Sequence, residues 1–259
     1  MVIGGGAARL SAVPSGPGES IVLIAAGVVA GTVGAAGGIT SLVSYSALLA
    51  VGVPPLSANV ANLVAGVACW PGSALTSREE LRRTRHHVAR GLPVAGVGAA
   101  TGSVLLIVTP PGVFARLVPF LVAFASLALL AQPWLTARAR QHATPAQVPI
   151  GVVAVYAGYF GAGSGILLLA VLLVLVDDRL PDANAIKNML LGIASVASAV
   201  VFVVAGPVAW AAVAPLAVGL LAGSAVGPVV ARRLPARVLR VAVAVLGLGL
   251  AVELWLGAR

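Results

Sequence analysis

Ala30-Gly31-Thr32-Val33-Gly34-Ala35-Ala36-Gly37-Gly38-Ile39 and Ala157-Gly158-Tyr159-Phe160-Gly161-Ala162-Gly163-Ser164-Gly165-Ile166 agree at six of ten positions. Each string interrupts a long apolar run, and the same offset of 127 residues superposes Pro54 on Pro181 and Ala58 on Ala185. The chain therefore reads as a duplication. Glycine inside a helix costs roughly 1 kcal/mol relative to alanine, so strings this dense predict a helix that stops and restarts within each run. In a membrane protein of two related halves, a pair of interrupted apolar segments points to a central binding site.

The composition around the strings belongs in a bilayer. Apolar residues make up 60% of the 259 and charged residues 9%, with a mean hydropathy of +1.08. Ile21 to Val53 carries no charge at all. A water-soluble fold confines its apolar residues to one stripe or face, and its core could not absorb so many unbroken runs. The net charge of +9 does not indicate nucleic acid, because no basic surface with interleaved aromatics is present to hold bases. Its arginines sit in short polar breaks, where they retain loops on the cytoplasmic side. The lipid bilayer is thus the first partner implied. One cysteine, Cys69, excludes an internal disulfide framework and a multi-cysteine metal site. Residues 1–19 hold Gly, Pro and Ser without an apolar core and cleavage signature, and read as a flexible tail.

Hydrophobic windows fall at 20–52, 56–76, 92–109, 113–135, 147–176, 185–205, 208–230 and 236–256. A crossing needs about 20 apolar residues, which suits six of them. The first and fifth are longer and carry the glycine strings, so each is read as two half-helices. This gives a first transmembrane repeat at 20–136, a basic linker at 137–146 and a second repeat at 147–259. If all eight windows cross once with the amino terminus inside, Lys and Arg divide 9 inside to 7 outside. If windows one and five are re-entrant and both termini lie outside, the division becomes 13 to 3, with only Arg9, Arg116 and Arg259 outside. The positive-inside rule prefers the second arrangement. Each half then crosses three times, and the two halves are inverted with respect to each other. The fold class expected is an all-α membrane protein of two homologous, inverted, four-segment halves, each opening with a Gly-broken helix.

A helix that restarts inside a membrane presents unpaired N–H groups and a partial positive charge at its new N-terminus, and both attract anions. Gly37, Gly38 and Thr40 in one half, and Gly163, Ser164 and Gly165 in the other, are the candidates. The competing reading is close helix packing through small residues, for which Gly27 and Gly31 supply a small-xxx-small pair. A Pro and a polar cluster follow each string: Ser57, Asn59 and Asn62 in one half, Asn184, Lys187 and Asn188 in the other. Asn59 with Asn62, and Lys187 with its asparagines, share helix faces. As pocket residues they would hydrogen-bond a substrate while Lys187 balances its charge. As structural residues they would cap helices and snorkel to headgroups. Cys69 is by default an inert buried thiol, and Pro71 beside it is expected to kink the second window. His86 and His87 belong to the basic loop and have no metal partner at ligand spacing.

All seven acidic residues fall in tails, loops or window ends, so no proton relay of intramembrane carboxylates is present. No phosphate-binding G-x-x-x-x-G-K-[ST] occurs either. Gly161-Ala162-Gly163-Ser164-Gly165 matches neither a dinucleotide fingerprint nor a nucleophile elbow. No cofactor and no metal are implied, and an enzyme is not expected.

The duplication, the two strings, the prolines after them and Trp70-Pro71-Gly72-Ser73 resemble the sulfite exporter TauE/SafE family, over nearly all of the chain and most strongly at 30–80 and 157–190. The resemblance implies a multi-pass inner-membrane transporter of sulfur-containing anions such as sulfite or organosulfonates. The expectation is a secondary exporter working by alternating access, alone or as a homo-oligomer. A passive anion channel and a membrane sulfur-handling enzyme built on Cys69 are its rivals.

Overall fold

Each of the two long apolar runs holds two helices, and the first glycine string is helical as far as Gly37. In the computed structural model, which describes residues 16–37, 39–137, 147–176, 179–206, 208–231 and 236–257, the first run gives α1 (Pro17–Gly37) and α2 (Thr40–Ala50). The fifth gives α8 (Gln147–Tyr159) and α9 (Ser164–Leu175). The remaining helices are α3 (Pro55–Ala65), α4 (Cys69–Thr76), α5 (Arg78–Arg83), α6 (Arg85–Val108), α7 (Pro111–Ala137), α10 (Leu180–Ala205), α11 (Trp210–Ala231) and α12 (Ala236–Gly257). Among the described residues every regular element is helical. Among the described residues four helices are long and apolar enough to cross a membrane: Pro17–Gly34, Arg85–Val108, Pro111–Ala131 and Pro181–Ala205. Their outward faces carry large apolar side chains, including Val97, Val108, Phe120, Leu127 and Val204. In water such a surface would drive aggregation; in lipid it is the solvated face.

The second window is divided. Proline has no N–H to return to the carbonyl four residues back. Pro71 therefore cannot bond Val67, and the chain tightens at Gly66–Ala68 into a single 3-10 turn between α3 and α4. His86 and His87 are exposed at the start of α6.

Glycines set which helices touch. A methyl built on Gly27 would stand 2.6 Å from the Leu216 carbonyl oxygen, and one on Gly31 2.6 Å from that of Leu220. Backbones of α1 and α11 therefore meet directly, and Thr32 Oγ1 donates to the Gly223 carbonyl at 3.3 Å. Partners rise together in number, so the two helices run parallel. The Gly27 and Gly31 pair thus serves packing within the chain. The same relation joins α6 to α8. Gly98 faces Gly151, Ala154 and Val155, Gly102 faces Val155 and Tyr159, and Ser103 Oγ donates to the Gly158 carbonyl at 3.2 Å.

At the centre α3 and α4 pass α10 in the opposite sense. Gly66 lies against Ser195, Trp70 Nε1 points at Met189 Sδ at 3.3 Å, and Arg83, one short helix on, reaches Asp182. Partner numbers fall as the first set rises, so the segments are antiparallel.

Candidate functional site: a polar cavity between the helix restarts

A cavity of about 80 Å³ lies where the two interruptions face the central crossing. A single water needs roughly 10–15 Å³ measured this way, so the space admits a small polyatomic solute. Its wall draws on both parts of the sequence: Gly31 and Gly34 of α1, Thr40 and Ser41 of α2, Gly66 of the 3-10 turn, Cys69, Trp70 and Ser73 of α4, Ser164 and Gly165 of α9, Lys187, Asn188, Gly192 and Ser195 of α10, and Ser224 of α11.

The restart of α9 is built by two glycines. Gly161 and Gly163 adopt φ of 79° and 80°, a region that side chains with a Cβ rarely enter, and Gly163 is the N-cap of α9. Ser164 Oγ donates back to the Gly161 carbonyl at 2.6 Å, and the amides of Ser164 and Ile166 return to Gly161 and Gly163. The Gly165 N–H is left with no protein acceptor among the described residues, and Gly165 lines the cavity. Around this turn Phe160 is fully buried among Tyr45, Phe114 and Tyr156, with ring centroids 5.3, 6.3 and 6.4 Å away. Tyr156 donates its hydroxyl to the Ala162 carbonyl at 2.7 Å. The interruption is thus a rigid feature held by aromatic packing.

Lys187 is the cation of the site. It is 1% exposed, and its ammonium donates to Asn184 Oδ1 at 2.6 Å. Among the described residues no carboxylate lies within ion-pair distance of it. An ammonium held in a poorly solvated interior without a counter-ion costs several kcal/mol, and an anion beside it would offset that cost. Snorkelling to headgroups does not describe a side chain buried this completely.

Of the residues proposed from sequence, the structure brings Thr40, Ser164, Gly165, Lys187 and Asn188 to one cavity. Gly163 stands directly before Ser164, and Gly37 is the last residue of α1. Gly38 lies outside the described residues. Asn59 and Asn62 are not in the wall. Both are buried, and one atom of each amide is engaged elsewhere: Asn59 Nδ2 donates to the carbonyl of Tyr159, the last residue of α8, at 2.8 Å, and the Ser44 hydroxyl of α2 donates to Asn62 Oδ1 at 2.5 Å, while Asn59 Oδ1 and Asn62 Nδ2 have no partner among the described residues. They act as struts that fix each helix pair to α3.

Sequence reasoning missed Trp70, Ser73, Ser41, Ser195 and Ser224. Ser195 was recoverable, because Asn188, Gly192 and Ser195 recur at helical spacing on one face of α10. Trp70 and Ser73 lay in a stretch used only to draw the family resemblance. Ser224 sits in an almost featureless apolar helix and gave no signal.

At the start of the Pro181–Ala205 span, on the α5 side, Asp182 is buried and accepts from Arg83 Nη2 at 2.8 Å, with Arg179 Nη1 at 3.4 Å from its other oxygen. The hydrogen bond to Asp182 raises the Arg83 pKa above its ordinary value. Among the described residues no group of His, Cys, Asp and Glu could hold a metal ion.

The model of the family described as "Sulfite exporter TauE/SafE" matches residues 21–254. "Probable membrane transporter protein ORF9" of Sinorhizobium sp is 25% identical over 240 residues, covering 90% of either chain. A "Probable membrane transporter protein" of Haemophilus influenzae is 26% identical over 215 residues, 80% of this chain and 82% of its own. "Probable membrane transporter protein YfcA" of Escherichia coli K12 is 26% identical over 212 residues, 80% and 78% of the two chains. No solved structure matches at a significant level. An all-helical chain with lipid-suited outer faces, a polar cavity at its centre and a family match spanning nearly its whole length is a membrane transporter, and it belongs to the sulfite exporter TauE/SafE family.

Proposed function

We propose that this chain is a multi-pass secondary transporter of the inner membrane that exports a small anion, a sulfur oxyanion or sulfonate, by alternating access. The observation that carries the proposal is Lys187: a buried ammonium without a carboxylate partner among the described residues, facing a polar cavity beside the first turns of α2 and α9. In this reading the Gly165 amide and the start of α2 bind anionic oxygens, as helix N-termini do. Thr40 and Asn188 supply directional hydrogen bonds, and Lys187 balances charge. The sulfur assignment rests on the family's name, with which a cavity of this size and polarity agrees.

Packing supports two inverted halves. Under the 127-residue offset α1 corresponds to α8, and α6 falls on α11. The pairing of α1 with α11 and that of α8 with α6 are then one pairing with the halves exchanged. The segment Pro55–Thr76 and its counterpart α10 pass each other antiparallel, as a two-fold axis in the membrane plane requires; an axis along the membrane normal would make them parallel. This agrees with inverted transporter repeats and with both termini outside.

The test is uptake of radiolabelled sulfite, thiosulfate, sulfate and a short sulfonate into proteoliposomes, with and without a pH gradient, comparing the wild type with Lys187→Ala and Cys69→Ala. Saturable flux with counterflow, lost in Lys187→Ala and retained in Cys69→Ala, is expected. Non-saturating current that follows the electrochemical gradient would make the protein a channel. Loss in Cys69→Ala alone would favour sulfur chemistry at the thiol.

A further inference from the structure

We propose that Arg83 and Asp182 form a latch that holds the cavity closed on the side of α5 and must part for the cavity to open there. The proposal rests on the alternating-access reading and names the ion pair that alternates.

Asp182 is a buried charge that the binding site does not use. It lies in the first turn of α10, where a carboxylate suits the helix dipole, but the dipole does not explain where its oxygens go. One accepts from Arg83 at 2.8 Å and the other faces Arg179 at 3.4 Å. Arg179 is three residues away on the same element. Arg83 is 99 residues away, on α5, and belongs to the other half of the duplication.

The position of the pair gives it mechanical meaning. Two walls of the cavity are α10, through Lys187 and Asn188, and α4, through Cys69, Trp70 and Ser73. These walls run antiparallel, so the end of α4 that leads into α5 and the start of α10 lie at one end of the cavity. Asp182 precedes Lys187 by five residues, about 7.5 Å along a helix. The ion pair therefore ties the two walls together roughly one and a half turns beyond the ammonium. At the other end the walls meet through Gly66 and Ser195, small groups that carry no charge. Separating α4 and α5 from α10 would break a charge-assisted hydrogen bond at the first end and only van der Waals packing at the second. Breaking it leaves the buried Asp182 carboxylate with only the longer contact to Arg179, so the closed arrangement is favoured until binding energy opposes it.

Cys69 makes the proposal directly testable, since it is the only cysteine in the chain and lines the α4 wall. Labelling by a membrane-impermeant maleimide, applied separately to the two faces of sealed oriented vesicles, reports access to the cavity without any substrate. Asp182→Asn and Arg83→Gln should each raise the initial labelling rate from the α5 face several-fold and leave or lower the rate from the opposite face. Arg83 is partly exposed, so Arg83→Gln is expected to fold even if Asp182→Asn does not, and monodispersity in detergent checks both. Wild-type labelling in folded Arg83→Gln overturns the latch. The two readings fail separately: a latch that fails leaves anion flux intact with labelling unchanged, whereas a transport reading that fails leaves labelling responsive with no flux.

Discussion

Replacing Gly163 by alanine tests how the second interruption is built. Gly163 caps α9 at φ 80°, and its new Cβ would stand 2.8 Å from Ala125 Cβ and 3.0 Å from Ala125 Cα. Two costs follow. The left-handed backbone costs roughly 1–2 kcal/mol for a residue with a Cβ. Overlap with a backbone atom of α7, which cannot swing aside as a long side chain can, adds about 1–3 kcal/mol. The expected loss is their sum, about 2–5 kcal/mol. Two other glycines separate the terms. Gly52 has φ 83° and nothing within 4 Å of its would-be Cβ, so Gly52→Ala should lose only the backbone term, about 1–2 kcal/mol. Gly249 lies in α12 with open space and no positive φ, so Gly249→Ala should gain up to about 1 kcal/mol. Equilibrium unfolding in mixed micelles, driven by SDS and followed by tryptophan fluorescence, measures all three. Equal losses at positions 163 and 52 would show that α7 yields to the methyl without cost. A harmless Gly163→Ala would refute the left-handed cap itself. Because Gly165 follows two residues later, anion flux should also fall more in Gly163→Ala than in Gly52→Ala.

Lys187→Met should abolish flux while leaving stability equal or higher in the same micelle titration, because it removes a buried charge whose partner is the neutral Asn184 amide; lost stability with retained flux would make Lys187 a packing residue. Asn59→Leu strips the Tyr159 carbonyl of its donor and should cost about 1–3 kcal/mol on the same titration. Gly102→Val would drive its side chain into the Val155 carbonyl and the Tyr159 amide. Its cost of about 3 kcal/mol or more should appear as a collapse in the yield of monodisperse protein.

Much of the fold was legible because lipid leaves few options. Runs of about 20 apolar residues become helices, since only a helix satisfies a single segment's backbone within that segment, and the windows from 92 to 256 fall on α6 to α12. The 3-10 turn at Gly66–Ala68 was half legible: Pro71 announces an interruption, but not the form it takes. The candidate site was read from residues whose chemistry is out of place in an apolar segment, and of these Lys187, Asn188, Thr40 and Ser164 share one cavity wall. The same rule drew in Asn59 and Asn62, since a buried amide looks alike in sequence whether it faces a substrate or a carbonyl 100 residues away. Ser224 and Trp70 were hidden for the converse reason. Nothing local distinguishes a serine that lines a cavity from one that packs against a neighbouring helix, and only the approach of α11 to α4 at Gly72 decides it.

The parallel glycine seams bear on how such a molecule can move. In α1 against α11 and in α6 against α8, backbone meets backbone without intervening side chains, and both seams join an element before residue 137 to one after residue 147. A hinge that split the protein at its midpoint would have to unzip both, exchanging close backbone packing for lipid. Antiparallel crossings such as Trp70 over Gly192 involve larger, more adjustable groups and can slide. Any rocking that preserves the seams therefore carries α1 with α11 as one body and α6 with α8 as another. The mobile units are then interleaved along the sequence, each assembled from one early helix and one late one.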